Sequence, residues 1–130
     1  MKIYIAGHGT YGESVYSTLK FFKEDIQNID ILRFSNSYES EMEEYIKNNS
    51  NDQLIVITDL LGGSVNACAM KLLQKYDFEL YTGVNISFLL EILFRDSISK
   101  DDMNEIFTES KKQTIYMNDY LRRFKDDKTD

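Results

Sequence analysis

The chain has 130 residues, 42% of them hydrophobic, and a formal net charge of −7, which together predict one soluble globular domain. The excess of carboxylates argues against nucleic acid as a partner, because phosphate neutralisation needs clustered Lys and Arg. The single cysteine, Cys68, excludes an intramolecular disulfide. No signal peptide is visible, and no apolar run approaches the roughly 20 residues that span a bilayer, so we expect a cytoplasmic protein.

Strands and helices alternate along the chain. Apolar and β-branched runs predict strands at residues 2–6, 29–34, 54–57, 78–82 and, more briefly, 113–117. Apolar residues at helical spacing predict helices at about 11–25, from 37, and at about 65–76, 86–94, 99–110 and 120–130. We expect the last residues to fray, because chain ends are seldom held by packing.

This alternation predicts an α/β fold. Residues 54–57 are continuously apolar, as in a strand that is buried on both faces at the centre of a parallel sheet. Right-handed βαβ crossovers then limit the topology. We predict a single-domain, three-layer, doubly wound sheet over residues 1–130, mainly parallel, with strand order 2-1-3-4. In that order the first and third strands are neighbours, and open α/β sheets bind ligands in the crevice at their carboxyl ends.

Two titratable residues follow these neighbouring strands. His8, the only histidine, comes after the first strand, and Asp59 after the third. A carboxylate that accepts one ring N–H fixes the tautomer and leaves the other nitrogen as a nucleophile. Glycine loops and helix N-termini around the pair favour phosphate, with candidate ligands Gly9, Thr10, Gly62, Gly63 and Ser64. The residues therefore predict phosphoryl transfer through a phosphohistidine, with no metal or cofactor required.

Two other interpretations of these residues stay open. Residues 7–12 match the G-x-G-x-x-G pattern of dinucleotide-binding loops. That pattern expects an acidic ribose ligand about twenty residues on, and only Asp30 lies near that place. Asp59 could also serve simply as the N-cap of the helix that follows it, a frequent role for Asp in βα loops.

Three motifs occur in a fixed order: a Gly-His-Gly turn at 7–9, the loop TDLLGGS at 58–64 and GVN at 83–85. In this order they resemble the EIIA component of the mannose-type bacterial phosphotransferase system, from Met1 to about Arg95. Beyond Arg95 the resemblance extends only to the pattern of elements. Mannose members often have proline after Gly-Gly-Ser, whereas this chain has Val65 and then Asn66. The sugar class is therefore left open.

The resemblance implies a specific role for each site residue. His8 would take a phosphoryl group on Nε2 from the carrier HPr and pass it to an EIIB component, which serves the membrane EIIC/EIID complex. Asp59 would orient the ring, and Ser64 would lie near the phosphate. The resemblance also implies a homodimer in which a C-terminal strand crosses to the other subunit's sheet. Residues 113–117 are the candidate strand, which would cover an exposed sheet edge.

Two alternative functions use the same anion-binding loops. The chain could be a non-catalytic regulatory module that binds a nucleotide or a phosphorylated metabolite. It could also be the phosphotransfer subunit of a dihydroxyacetone kinase, which carries a similar domain. Both alternatives place the site at the same crevice. In the first a small phosphorylated ligand binds there, and in the second the phosphoryl group comes from and goes to other proteins.

Overall fold

Strands and helices alternate along most of the chain in the structure, a computed structural model that describes the backbone of residues 1–129 and the side chains of residues 1–126. The strands are β1 (Lys2–Ala6), β2 (Ile29–Ile31), β3 (Leu54–Thr58) and β4 (Glu79–Thr82). The helices are α1 (Tyr11–Leu19), α2 (Tyr38–Asn49), α3 (Ser64–Leu72), α4 (Ile86–Leu93), α5 (Lys100–Lys111) and α6 (Met117–Thr129). None of the helices in the described part of the chain is long and apolar enough to cross a membrane.

The four strands form one parallel sheet in the order β2-β1-β3-β4, which confirms the predicted order. Strands β1 and β3 are in register to their ends, with Ile5 opposite Ile57 and Ala6 opposite Thr58. Because both strands end at the same level, the loops that follow them leave the sheet side by side. This register therefore brings the Gly-His-Gly turn at residues 7–9 and the loop at residues 58–64 together.

The core lies on both faces of the sheet. Strand β3 is buried along its whole length, and its alternate residues Ile55 and Ile57 join a cluster with α1, α4 and α5, while Leu54 and Val56 join a cluster with α2 and α3. Alternation with a period of two residues sends successive side chains to opposite faces. The three-layer, doubly wound architecture is therefore as predicted.

Helix α1 is shorter than predicted. It ends at Leu19, and the apolar residues Phe21 and Phe22 beyond it are 88% and 57% exposed. A fifteen-residue helix would be roughly 22 Å long, whereas the strand on which α1 packs would extend only about 17 Å. The longer helix would pass the edge of the sheet, so the chain turns and Ile26 reaches the core from a loop.

The single chain has no strand at residues 113–117, where the sequence predicted one that pairs with a second subunit. Residues 114–116 have no regular structure, and Met117 already begins α6, three residues before the predicted start of the terminal helix. A strand needs a neighbouring strand for its hydrogen bonds, and this exposed segment is not among the four paired strands of the sheet. The predicted exchange of a strand between subunits stays a prediction. The predicted fraying of the last residues concerns residues outside those described.

Candidate functional site

His8 lies in the turn between β1 and α1. The turn passes through Gly9, whose φ of +55° is a left-handed conformation that favours glycine. The His8 carbonyl accepts a hydrogen bond from the Tyr11 amide at 3.1 Å, which closes the turn as α1 begins. The His8 side chain is 41% exposed, so the imidazole stands at the surface of the crevice between β1 and β3.

Asp59 holds the imidazole from the neighbouring loop. Its Oδ2 accepts hydrogen bonds from His8 Nδ1 at 2.8 Å and from the His8 backbone N–H at 2.9 Å. Its Oδ1 accepts a third from the Leu60 amide at 2.9 Å. Since an ionised carboxylate can only accept, the neutral imidazole has its proton on Nδ1 and its lone pair on Nε2. Partial burial by itself would raise the pKa of Asp59. The hydrogen bonds and charge of His8 lower this pKa by more, so that its net value is below the usual range.

Ser64 meets the other side of the ring. Its Oγ lies 2.9 Å from His8 Nε2, and with the proton on Nδ1 the serine hydroxyl is the donor. Ser64 is the first residue of α3. The N-cap residue of this helix is Gly63, which has no side chain that could cap the first-turn N–H groups. The nitrogen that carries the lone pair therefore faces an uncapped helix N-terminus, where backbone N–H groups favour anions.

The loop between β3 and α3 is held by a buried amide. Asn66 is 2% exposed; its Nδ2 donates to Thr58 Oγ1 at 2.8 Å, and its Oδ1 accepts from the Gly62 amide at 3.4 Å. Gly62 has a φ of +82°, again a left-handed conformation. Sequence reasoning noted Asn66 only where the chain departs from the family pattern. The signal for its role is a polar side chain among the apolar positions of the buried face of α3.

Phe34 is a second residue that sequence reasoning missed. Its ring centroid lies 5.2 Å from that of His8, and the same ring stacks on Tyr38, also at 5.2 Å. Phe34 follows β2, the other neighbour of β1, so strand order 2-1-3 brings loops from both neighbours to His8. The predicted strand order implied that the loop after β2 lies beside His8, but no local motif marks Phe34 itself.

The hydrogen bonds of Thr10, Asp59 and Asp30 show where three residues singled out in the sequence lie. Thr10 Oγ1 accepts a hydrogen bond from Ser14 Oγ, one turn further along α1, at 3.2 Å. The N-cap interpretation of Asp59 is wrong, because Gly63 takes that position and the carboxylate is bound to His8 and Leu60. Asp30 lies opposite Tyr4, in the middle of β1, where it accepts from the Tyr45 hydroxyl at 2.7 Å. It is therefore not at the ligand edge of the sheet.

Gly63 provides the space that the imidazole occupies, which leads to a testable prediction. A Cβ built on Gly63 would lie 3.3 Å from His8 Cε1 and 3.1 Å from Leu60 Cδ2, both tighter than ordinary contacts. Its φ of −69° suits any residue. We expect Gly63→Ala to shift the imidazole nitrogen resonances in NMR spectra, while stability changes by less than about 1 kcal/mol.

Gly83→Ala is the matched control for that substitution. Gly83 has a φ of +68° and nothing within 4 Å of its Cβ position, so alanine there costs about 1–2 kcal/mol of strain without touching the ring. We expect lower thermal stability and unchanged imidazole resonances. The opposite pattern in the two variants would mean that Gly63 is not what sets the ring position.

The fold and the site define this chain as a doubly wound α/β protein with a carboxylate-oriented histidine at its topological switch point. Residues 2–111 match the family model EIIA-man, described as the PTS system fructose IIA component. The chain therefore belongs to this family, and it is a IIA component of a sugar phosphotransferase system. No curated protein matches it at a significant level.

Solved structures of similar proteins agree with this assignment. The PTS IIA protein associated with the fucose utilization operon of Streptococcus pneumoniae is 26% identical, with a TM-score of 0.75 over 92% of this chain and 95% of that one. The mannose/sorbose-specific IIA subunit of Enterococcus faecalis is 18% identical, with a TM-score of 0.75 over 88% and 91%. EIIA of Streptococcus agalactiae is 21% identical, with a TM-score of 0.76 over 90% and 97%. The last two show likeness of fold.

Proposed function

We propose that this chain is a phosphoryl carrier in which His8 Nε2 accepts a phosphoryl group from HPr and passes it to an EIIB component. The EIIB component in turn serves the membrane EIIC/EIID complex, while the chain itself works in the cytoplasm as a single domain over residues 1–130. The observation that carries the proposal is the position of His8 between Asp59 on Nδ1 and Ser64 on Nε2. Membership of the IIA family supports it.

The hydrogen bonds of the imidazole support Nε2 as the reacting nitrogen. Asp59 keeps the proton on Nδ1, so the Nε2 lone pair can attack the phosphorus of a donor phosphohistidine. The new N–P bond forms as the donor's N–P bond breaks, and the donor nitrogen keeps that electron pair. The His8 ring becomes positively charged, and the carboxylate of Asp59, 2.8 Å from Nδ1, stabilises this charge.

The phosphoryl oxygens need donors beside Nε2. The Ser64 hydroxyl, which donates to Nε2 in the free site, can turn to a phosphoryl oxygen once Nε2 is occupied. The first-turn N–H groups of α3 lie next to it, and the turn through Gly9 and Thr10 leads into α1, whose N-cap also lacks a side-chain bond. We assign phosphate binding to these two loops, including Gly62 and Gly63.

An apolar rim surrounds the imidazole. Leu60 and Leu61 are 55% and 77% exposed on the loop that carries Asp59, and Phe34 is 38% exposed on the opposite side. A protein donor must bring its own phosphohistidine to Nε2, and in doing so it would cover these side chains. Exposed apolar groups beside the reacting atom fit a site that is served by protein partners.

The test is phosphorylation of the purified chain by phosphoenolpyruvate, enzyme I and HPr. We expect one phosphoryl group per chain, labile in acid and stable in base, which transfers onward when an EIIB component is added. Absence of labelling would contradict the proposal. Tight nucleotide binding in calorimetry without labelling would instead support the regulatory module, and transfer only from a dihydroxyacetone kinase system would support that alternative.

Ser64→Ala tests the role given to the serine. One hydrogen bond to a charged group contributes about 1.5–3 kcal/mol, so we expect transfer from HPr to slow about 10- to 100-fold. Ser64→Thr keeps a hydroxyl at the same position and should restore most of the rate. Rapid-quench measurement of labelling compares the variants. Equal transfer rates in Ser64→Ala and the wild type would show that the Ser64 hydroxyl does not contribute to phosphoryl transfer.

A further inference from the structure

Phe34 reaches the imidazole from the side of β1 opposite the loop that carries Asp59. Strand β1 lies between β2 and β3, so the loops that follow these two strands approach His8 from opposite sides. The chain after β2 stays attached to β1, because the Leu32 amide donates to the Ile5 carbonyl at 2.9 Å. Phe34 follows two residues later, with its ring centroid 5.2 Å from that of His8 and the two planes at 42°. Centroid distances of about 4.5–7 Å are typical of aromatic rings in contact, so Phe34 contacts the imidazole.

A second ring supports Phe34. Tyr38 stacks on it, with the ring planes at 24°. Tyr38 is the first residue of α2, and its amide donates to the Ser35 carbonyl at 3.2 Å, which closes the turn between the two aromatic residues. The Tyr38 side chain also packs against the core cluster that α2 and α3 cover. The position of Phe34 beside the imidazole is therefore set by contacts within this chain.

The hydrogen bonds of the imidazole leave the tilt of its ring open. They lie at its two nitrogens, with Asp59 on Nδ1 and Ser64 on Nε2. Hydrogen bonds of this kind lie close to the ring plane, so a ring that tilts about the line through both nitrogens loses neither bond. Once Nε2 holds a phosphoryl group, Ser64 can no longer donate to that nitrogen and only the bond to Asp59 remains. The contact with Phe34 supplies the missing restraint.

We propose that Phe34, supported by Tyr38, is a positioning residue that holds the His8 ring at the tilt from which Nε2 faces Ser64 and the first turn of α3. This role rests on the proposed phosphoryl transfer at His8. The imidazole becomes positively charged during that transfer, and an aromatic ring beside a cation also stabilises the charge. Phe34 thus acts on the chemical step through the imidazole, in addition to forming part of the apolar surface that a protein partner would cover.

Nitrogen NMR spectra of the imidazole at mildly alkaline pH test the positioning without any phosphoryl donor. The nitrogen resonances report which nitrogen holds the proton, and we expect the wild type to show the Nδ1–H form. In Phe34→Ala the loosened ring weakens its bonds to Asp59 and Ser64, so the two resonances should move toward each other. Phe34→Tyr keeps an aromatic ring and should restore the wild-type spectrum. A Phe34→Ala spectrum identical to that of the wild type would overturn the proposal.

Two phosphoryl donors then separate positioning from partner binding. Phosphoramidate is a small donor whose P–N bond breaks as the bond to Nε2 forms, and ammonia leaves with the electron pair. An aromatic contact corresponds to a factor of about 2–10, so we expect Phe34→Ala to lower both the phosphoramidate rate constant and the kcat with phosphorylated HPr by that factor. A residue that only binds the partner would raise the KM for HPr and leave the phosphoramidate rate unchanged, and that result would overturn the proposal.

Phe94→Ala is the matched control for the loss of a phenylalanine. Phe94 is 61% exposed at the end of α4, a helix that begins at the sheet edge where His8 lies and extends away from it. Its spectrum and both rates should equal those of the wild type. Phe34 is itself 38% exposed and lies outside both core clusters, so we expect thermal unfolding to show that the Phe34 variants are folded as well.

Tyr38→Leu tests the support of Phe34, because leucine keeps an apolar side chain but removes the stacked ring. We expect smaller losses of rate than in Phe34→Ala. The double variant should be no slower than Phe34→Ala alone, since Tyr38 acts through Phe34. Additive losses in the double variant would contradict the supporting role of Tyr38.

Failure of the proposed function gives a different pattern of results. A wild-type chain that HPr does not label would refute the carrier function, while the NMR comparison of the wild type with Phe34→Ala would still decide the positioning role. Conversely, a chain that HPr labels, but whose ring spectrum and phosphoramidate rate are unchanged in Phe34→Ala, would keep the carrier function and overturn the positioning role.

Discussion

Replacement of His8 by alanine is expected to abolish phosphorylation of the chain by phosphoenolpyruvate, enzyme I and HPr. His8 is the only histidine among the 130 residues, so no second imidazole can take its place. Loss of the nucleophile itself corresponds to a fall of many orders of magnitude, which a labelling experiment records as complete loss. Acid-labile label that persists in His8→Ala would place the chemistry on another residue and refute the assignment.

The fold should survive this substitution, which makes the result interpretable. The His8 side chain is 41% exposed and lies outside both core clusters. Asp59 keeps the hydrogen bonds from the backbone N–H of residue 8 and from the Leu60 amide. We expect thermal unfolding within about 1 kcal/mol of the wild type. His8→Gln, which keeps a polar side chain at this position, is the matched control for shape and should be equally unlabelled.

Asp59→Asn is expected to reduce the rate of phosphoryl transfer by about 10²- to 10⁴-fold with the fold intact. The amide can donate as well as accept, so it no longer fixes the proton on Nδ1, and it carries no charge to stabilise the phosphorylated ring. Rapid-quench labelling measures the rate. Asp52→Asn is the control, because Asp52 is an exposed carboxylate in the turn before β3. An unchanged rate in Asp59→Asn would limit Asp59 to a structural role.

The same variant predicts a pH dependence of stability. The pKa of Asp59 is lowered in the folded chain, since the hydrogen bonds and charge of His8 outweigh the effect of partial burial. A group with a lowered folded pKa stabilises the fold above its unfolded pKa of about 3.9, and this contribution disappears as the pH falls through the folded value. The stability difference between wild type and Asp59→Asn should therefore be full at neutral pH and shrink below about pH 4. A constant difference across that range would contradict the lowered pKa.

Local sequence patterns determined most of the fold. The continuous apolar run of β3 marked a strand buried on both faces, and all five of its residues are buried. Helical spacing found α2, α4 and α5 to within a few residues, since the periodicities of 3.6 and 2 residues record which side chains are buried. At residues 113–117 the pattern predicted a strand that the single chain does not form, because a strand also needs a neighbouring strand, which no local pattern contains.

The pairing of His8 with Asp59 was accessible from the sequence because it follows from topology alone. Two loops that follow neighbouring parallel strands must leave the same edge of the sheet, and the observed register brings Ala6 level with Thr58. The sequence could therefore predict which residues meet. The family resemblance implied Nε2 as the phosphorylated atom, but the residues alone could not predict which ring nitrogen meets which oxygen, because that depends on loop conformations and on distances of a few tenths of an ångström.

What the sequence by itself determined is the chemistry available at this site: one histidine, an acidic loop with two glycines and a serine, and an α/β fold that brings them together. Only the tertiary structure decided how that chemistry is arranged. It placed Ser64 on Nε2, Phe34 beside the ring and Gly63 where any side chain would crowd it. The physical reason is range: burial patterns are read within one element, whereas these contacts join loops from three different strands and depend on close packing.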